Sequence, residues 1–362
     1  MKPRRWALPA AACYAMLVAL TWTFEGHAAQ KLQPRGMDGF GELRQPARRP
    51  GPPSSSGSKV PFSSIKRLPG GYALKYGFRN FNGDAASIQA ELNSETVAQS
   101  IKEYGIRSED FKALDDWYRK AQQAAIDDAE SRYFKGKVSA PTREALDDKL
   151  QWIAELNKKI KDELDRKLTV LSKDYRRKRV EVYTKAGFRF QKEGVVEADI
   201  PAMAKRNWRR VRSVAKAFSE LGEEKDYDAE DLVGGVTAMV QTALRYEIPD
   251  SKEGSRIIGG AMPPPQTLVL GQGDCDTKTA LIASILLNWP NVKMVGLGIP
   301  GHYLMAYHRI PRRGDVFIEY EGLTYVMIES AGPAWLPPGK VGDNTQDYLD
   351  SGQDFRIQPI TL

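Results

Sequence analysis

Apolar residues follow two different spacings along this chain, and the change between them divides it. Across residues 85–186 they recur every three or four positions, the period of one helical face. The clearest run follows Ser139 and Pro141: Leu146, Leu150, Ile153, Leu156, Ile160, Leu164, Leu168, Leu171 and Tyr175 form a seam of about eight turns. A second stripe, from Phe111, Leu114, Trp117 and Tyr118 through Ala121, Ala125 and Ala129 to Tyr133, precedes it. The turn between Gly136 and Pro141 predicts that the two fold into an antiparallel helical hairpin. Two readings of that hairpin stand: a solvated coiled coil packed on itself, or an arm that docks another protein.

Beyond Gly271 the pattern becomes one helix followed by strands. Residues 280–289 are apolar enough to predict a buried helix. Residues 292–299, 303–310, 316–320 and 324–329 are short, β-branched or aromatic, and separated by Gly or Pro, which predicts strands. A further helix is expected over 228–246, with Asp226 or Asp228 as its N-cap. The expected fold class is α+β, a helix packed on an antiparallel sheet with a long N-terminal helical hairpin.

At the N-terminus, Lys2, Arg4 and Arg5 precede an apolar stretch over 6–24 and the small residues Gly26, Ala28 and Ala29, the pattern of an export signal. Cleavage after Ala28 or Ala29 is one outcome; an uncleaved anchor is the other, because the stretch approaches the length of a bilayer span. Either way the remainder is expected to be exported, to the periplasm or cell envelope. Residues 30–64 are rich in Pro, Gly, Ser and Arg and poor in apolar side chains, so they read as a disordered spacer or a processing remnant. The expected organisation is therefore a signal peptide or anchor (1–29), a linker (30–64), a helical region with the hairpin (65–225) and a C-terminal helix-and-strand domain (226–362).

Composition adds limits. The 362 residues, 41% hydrophobic and 27% charged, can bury a core while leaving solvent-rich parts. An excess of 53 Lys and Arg over 46 Asp and Glu, net +7, mildly favours anionic surfaces such as envelope polymers or lipid headgroups. Basic clusters occur at Lys173, Arg176, Arg177, Lys178 and Arg179, and at Lys205, Arg206, Arg209, Arg210 and Arg212 around Trp208. Export argues against nucleic acid as their partner, so a solvated helical face or an anionic envelope polymer remains. The acidic run Asp226, Asp228, Glu230 and Asp231 lacks the glycine and distal glutamate of a calcium loop, and capping accounts for it better.

Only two cysteines occur, which excludes a disulfide scaffold. Cys13 falls inside the export signal, with too short an apolar run before it and no leucine three residues upstream for lipidation. Cys275 would then be the one thiol of the mature chain, at the expected start of a helix in Gly273, Asp274, Cys275, Asp276. With Asp274 as N-cap, Cys275 takes the first helical position, where the peptide dipoles favour a thiolate. Its unpaired backbone N–H is a ready oxyanion donor, and Gln272 is a candidate second donor. Asp274 and Asp276 oppose the thiolate by charge, so a cationic partner is needed. An imidazole supplies it and also serves as base and acid.

His302, after Pro300 and Gly301 at a strand start, is the favoured partner. His308 faces the same side about 20 Å along the strand and leads into a basic loop, which suits a surface histidine. Glu329, following Tyr325, Val326, Met327 and Ile328, is the favoured orienting acid, because a carboxylate there is costly unless paired. Glu319 and Glu321 flank the expected turn at Gly322 and suit water. The glycine that a phosphate loop needs before Lys278 is missing, and two aspartates would repel phosphate, so nucleotide binding is discounted. No metal or other cofactor is called for.

These residues resemble the transglutaminase-like superfamily, in the form of exported bacterial cysteine peptidases. In that superfamily Gly-Asp-Cys-Asp opens the nucleophile helix, a histidine begins a later strand and an acid ends the next. The likeness spans roughly residues 232–339 and includes Pro263, Pro264, Pro265, Gln266, Thr267 and Leu268 ahead of the cysteine. It implies a papain/transglutaminase-like core, with Cys275 as nucleophile, His302 as base and Glu329 as orienting acid. Where Glu329 stands the family often has aspartate, and where Tyr303 stands, a small residue. Members include peptidases, amide cross-linkers, deamidating enzymes and inactive binders, so acyl transfer on a protein or peptide substrate is implied more firmly than any one reaction. The hairpin lies outside the likeness.

Overall fold

The computed structural model describes residues 60–191, 195–353 and 355–362. The expected export signal, Cys13 and most of the expected linker lie outside the described residues. The chain divides into two compact units: one takes in the residues up to Gly105 and resumes at Gly187, and the other is the intervening Ile106–Ala186. The architecture is mixed helix and sheet, α+β.

The first unit opens with strands β1 (Phe62–Leu68), β2 (Gly71–Arg79) and β3 (Ala85–Asn93), paired antiparallel in that order. This corrects two expectations. The linker was expected to run to 64 and the helical region to begin at 65, yet 62–93 form a sheet. The physical reason lies in the alternation Leu74, Tyr76, Phe78 and Ala86, Ile88, Leu92: each set is buried, and intervening residues such as Lys75, Ser87 and Gln89 face water. The period is two, which the alanines disguise.

Asn93 ends β3 and caps α1 (Ser94–Lys102), its side chain accepting from the Glu95 amide at 2.7 Å. After the inserted unit come α4 (Ile200–Asn207), α5 (Arg212–Lys225), α6 (Ala229–Thr242), α7 (Pro264–Leu270) and α8 (Cys275–Leu286). Asp228 caps α6 by accepting from the Asp231 amide at 2.8 Å, whereas Asp226, in the left-handed conformation at φ 55°, terminates α5. Helix α6 stops short of the expected 246, and Arg245–Tyr246 pair in parallel with Gln272–Gly273 instead.

Helix α8 is buried on nearly every side, which fits its uninterrupted apolar run. One side meets α4, α5 and α6, and β2 packs on α6 in turn, so Phe78, Phe218, Val236 and Leu281 share a single core. No boundary falls at 226: the N-terminal sheet and α5 complete the core that the expected C-terminal domain was to build alone. On its other side α8 meets a five-stranded antiparallel sheet of β4 (Met294–Ile299), β5 (His302–His308), β6 (Phe317–Tyr320), β7 (Leu323–Ile328) and β8 (Arg356–Ile360), ordered β6-β7-β5-β4-β8. Helix α9 (Asp343–Asp350) precedes β8. Met294, Met305, Val326 and Ile328 lie on the sheet face toward the α8 core, and Leu297, Leu304 and Met327 on the other face.

The second unit holds α2 (Glu109–Arg132) and α3 (Arg143–Lys185), paired with opposite chain directions. Tyr118 stacks on Tyr175 with centroids 4.3 Å apart, Phe111 meets Tyr183, and Arg132 bridges Glu163 at 2.6 Å. Of the apolar residues on α2 and α3 only Ala129, Ile160 and Tyr183 are fully buried, so the seam is thin. Part of the basic cluster on α3 is spent internally, with Arg179 over the Phe111 ring and Lys178 over Trp117.

Two substitutions probe this arrangement. Leu281→Ala, in the fully buried helix, should cost about 2–5 kcal/mol in urea denaturation. Trp152→Ala, at a side chain 60% exposed, should change stability by less than about 0.5 kcal/mol.

Candidate active site

Cys275 is the first residue of α8, and Asp274 is its N-cap, with Oδ1 accepting from the Thr277 amide at 3.0 Å. Position N1 leaves the Cys275 backbone N–H without an intrahelical acceptor. The segment before it is fixed by its parallel pairing with Arg245–Tyr246. Gln272 sits there, its side-chain oxygen accepting from Arg245 Nη2, which orients the amide of this candidate oxyanion donor.

The turn between β4 and β5 places His302. Pro300 restricts φ and Gly301 takes φ 71°, a value that suits glycine at that point of a tight turn. His302 Nε2 lies 2.9 Å from Glu329 Oε1 and 3.2 Å from Oε2, which leaves Nδ1 as the ring nitrogen not engaged by the acid, while the ring's charge acts on the neighbouring Cys275 thiol. The three residues 275, 302 and 329 therefore meet at the ends of β5 and β7, over the N-terminus of α8. His308 stays apart: it is exposed, and its Nδ1 meets the Thr324 carbonyl at 2.9 Å. Glu319 and Glu321 are exposed at the β6–β7 turn.

Glu329 is only 4% exposed, and burial alone would push its carboxyl up. The charge and hydrogen bond of His302, with backbone donors from Ala331 and Gly342, outweigh burial and hold it below the usual carboxylate range. Thr345 adds a hydroxyl 3.4 Å from Oε2. For His302, burial works to lower the imidazole, but the Glu329 charge and the hydrogen bonds to Cys275 and Glu329 raise it well above its ordinary value. Both partners thus push the ring toward its protonated form.

Cys275 meets the opposite pressure. Burial, then the Asp276 charge, push its thiol up to about 11, while His302 pulls it back. Asp276 is itself pushed up to about 7 by burial and by Asp274, and burial raises Asp274 to about 6. For the pair as a whole, burial favours the neutral thiol, His302 favours the thiolate, and His302 in turn holds Glu329 toward its ionised form. Thiolate forms as pH rises, and sooner where Asp276 is uncharged.

Several side chains around the three were missed by the sequence reading. Ser330 Oγ and Thr279 Oγ1 are 2.6 Å apart, tying the loop after β7 to α8, and Gln241 binds the Glu329 carbonyl at 2.6 Å. Lys278, fully buried one turn after Cys275, donates to the Leu244 carbonyl at 2.9 Å, and burial brings it down to about 7. For Lys278 and Thr279 the available signal was a polar residue inside an apolar helical run. Among the described residues, no group of three or more His, Cys, Asp or Glu is placed to hold a metal ion. Compared with family models, curated proteins and solved structures, the chain matches none.

The electrostatics give a signed expectation. Alkylation of Cys275 by iodoacetamide, followed from pH 5 to 10, should rise with a midpoint that moves to lower pH in Asp276→Asn, because an opposing charge is removed. It should move to higher pH in His302→Ala, with alkylation at pH 7 slowed by about 10²-fold or more.

Proposed function

We propose that this chain is an exported thiol enzyme that attacks an amide carbonyl, acting as a cysteine peptidase on a protein or peptide, on a papain/transglutaminase-like core. The observation that carries the reading is the 2.9 Å contact between His302 and the buried Glu329 beside a cysteine at the first position of a helix. In this mechanism the Cys275 sulfur, losing its proton to bulk solvent or to neutral His302, attacks the carbonyl carbon, and the carbonyl π pair moves onto oxygen. The Cys275 backbone N–H and Gln272 stabilise that oxyanion. His302 then protonates the departing amine as the C–N bond breaks, leaving a thioester. Water, deprotonated by His302, attacks the thioester and releases the acid and the thiol. Glu329 holds the ring and balances its charge throughout.

Acyl transfer to an amine in place of water would make the same site a cross-linking transglutaminase. A non-catalytic envelope adaptor, binding a protein or an anionic envelope surface through the helical arm, is favoured by two observations: Cys275 is 8% exposed, and the arm leaves Trp152 and Leu150 on its surface. An electrophilic amide probe with a fluorescent amine in excess separates the three. Peptidase action should release the amine fragment of a peptide substrate and lose about 10⁴-fold or more in Cys275→Ala. Incorporation of the fluorescent amine would instead mark cross-linking. An unlabelled Cys275 with a partner retained by the 106–186 arm would favour the adaptor.

A further inference from the structure

Glu329 stands one residue beyond the last rung of β7, where strand pairing no longer fixes a side chain. Its main chain is held from α6. Gln241 is fully buried near the end of that helix; its Nε2 donates to the Glu329 carbonyl at 2.6 Å and to the Leu336 carbonyl at 3.1 Å, and its Oε1 accepts from the Leu336 amide at 2.9 Å. All three bonds go to one loop. Gly332 lets that loop approach, since a Cβ there would lie 2.1 Å from the Gln241 backbone oxygen. On the other side Ser330 is tied to Thr279 of α8 at 2.6 Å, and further along the loop Trp335 Nε1 donates to the Arg79 carbonyl at 2.9 Å.

We propose that Gln241 is a positioning residue for the Cys275, His302 and Glu329 relay: by gripping both ends of the 329–336 loop it keeps the Glu329 carboxylate on the imidazole. This rests on the thiol mechanism above. The carboxylate reaches His302 only while its own peptide is held, and a buried amide with three bonds to one loop has a single low-energy placement. Loss of the amide leaves the Glu329 and Leu336 carbonyls without that donor, and the loop must shift to find others. The N-terminal sheet enters the same device through the Arg79 carbonyl and the Phe81 ring, whose centroid lies 5.5 Å from that of Trp335.

The test is the pH dependence of Cys275 alkylation by iodoacetamide in the purified full-length protein, read by mass spectrometry beside thermal unfolding. Gln241→Met should move the midpoint upward in the same direction as Glu329→Gln, with alkylation at pH 7 slowed at least about tenfold, the effect of one pH unit. The double variant should move it no further. Thr237→Val removes a buried hydroxyl of the same helix that bonds only the Val233 carbonyl, at 2.8 Å; it should lower thermal stability and leave the midpoint in place. Gly332→Ala, which pushes the loop off Gln241 from the other side, should reproduce the shift. The proposal is overturned if Gln241→Met and Gly332→Ala lose stability while keeping the wild-type pH curve. A wild-type curve that His302→Gln leaves unmoved would overturn the thiol mechanism itself, and this inference with it.

Discussion

The meeting of His302 with Glu329 is the constraint on which the site depends. A carboxylate removed from water needs several partners, and Glu329 finds them in one imidazole, two backbone amides and the Thr345 hydroxyl. Those partners come from β5, from the loop it begins and from the start of α9. The five-stranded sheet, the loop after β7 and α9 must all be in register before the acid is satisfied. The imidazole, once fixed, favours the thiolate form of Cys275. Removing either member would leave the other buried and uncompensated, which is why such pairs hold a local structure firmly even when their net contribution is small.

Around Cys275 the forces are opposed by design of the helix itself. The cap that starts α8 is an aspartate, and a second aspartate follows the cysteine, so the residues that build the N-terminus also burden its thiol. Dipole, amide donors and imidazolium act in the other direction. Burial makes each contribution larger than it would be at a surface. Helix α8 can hold this tension because its remaining turns are locked between two layers of apolar side chains, and Lys278 and Thr279 anchor its polar first turns to neighbouring carbonyl and hydroxyl groups.

Much of the site could be read from residue types. A cysteine after Asp274, a histidine after Pro300 and Gly301, and an acid after four apolar residues each carried a local physical reason, and the structure brings these three together. The strands of the second sheet were legible for the same cause, being short β-branched runs between turns. The first sheet was not. Residues 62–93 alternate inside and outside, but their buried positions include Ala86 and Gly77, too small to stand out, and Pro and Ser upstream extended the spacer reading too far. Gln241 and Ser330 were invisible for another reason: a single polar residue declares its role only through partners nearly ninety and about fifty positions away, a distance no local period conveys.

The insertion of residues 106–186 within the other unit separates partners that must ultimately share one interior. Tyr76 reaches the Leu268 carbonyl across 192 positions of chain, and Trp335 reaches Arg79 across 256. Strands made early in synthesis therefore wait, with Phe78 and Ile88 uncovered, until the helices beyond the insertion, α5 and α6, have been made. Long-range closure of this kind is slow, and it leaves apolar surface uncovered for longer. Were the chain exported unfolded, as proposed, it would gain from that delay.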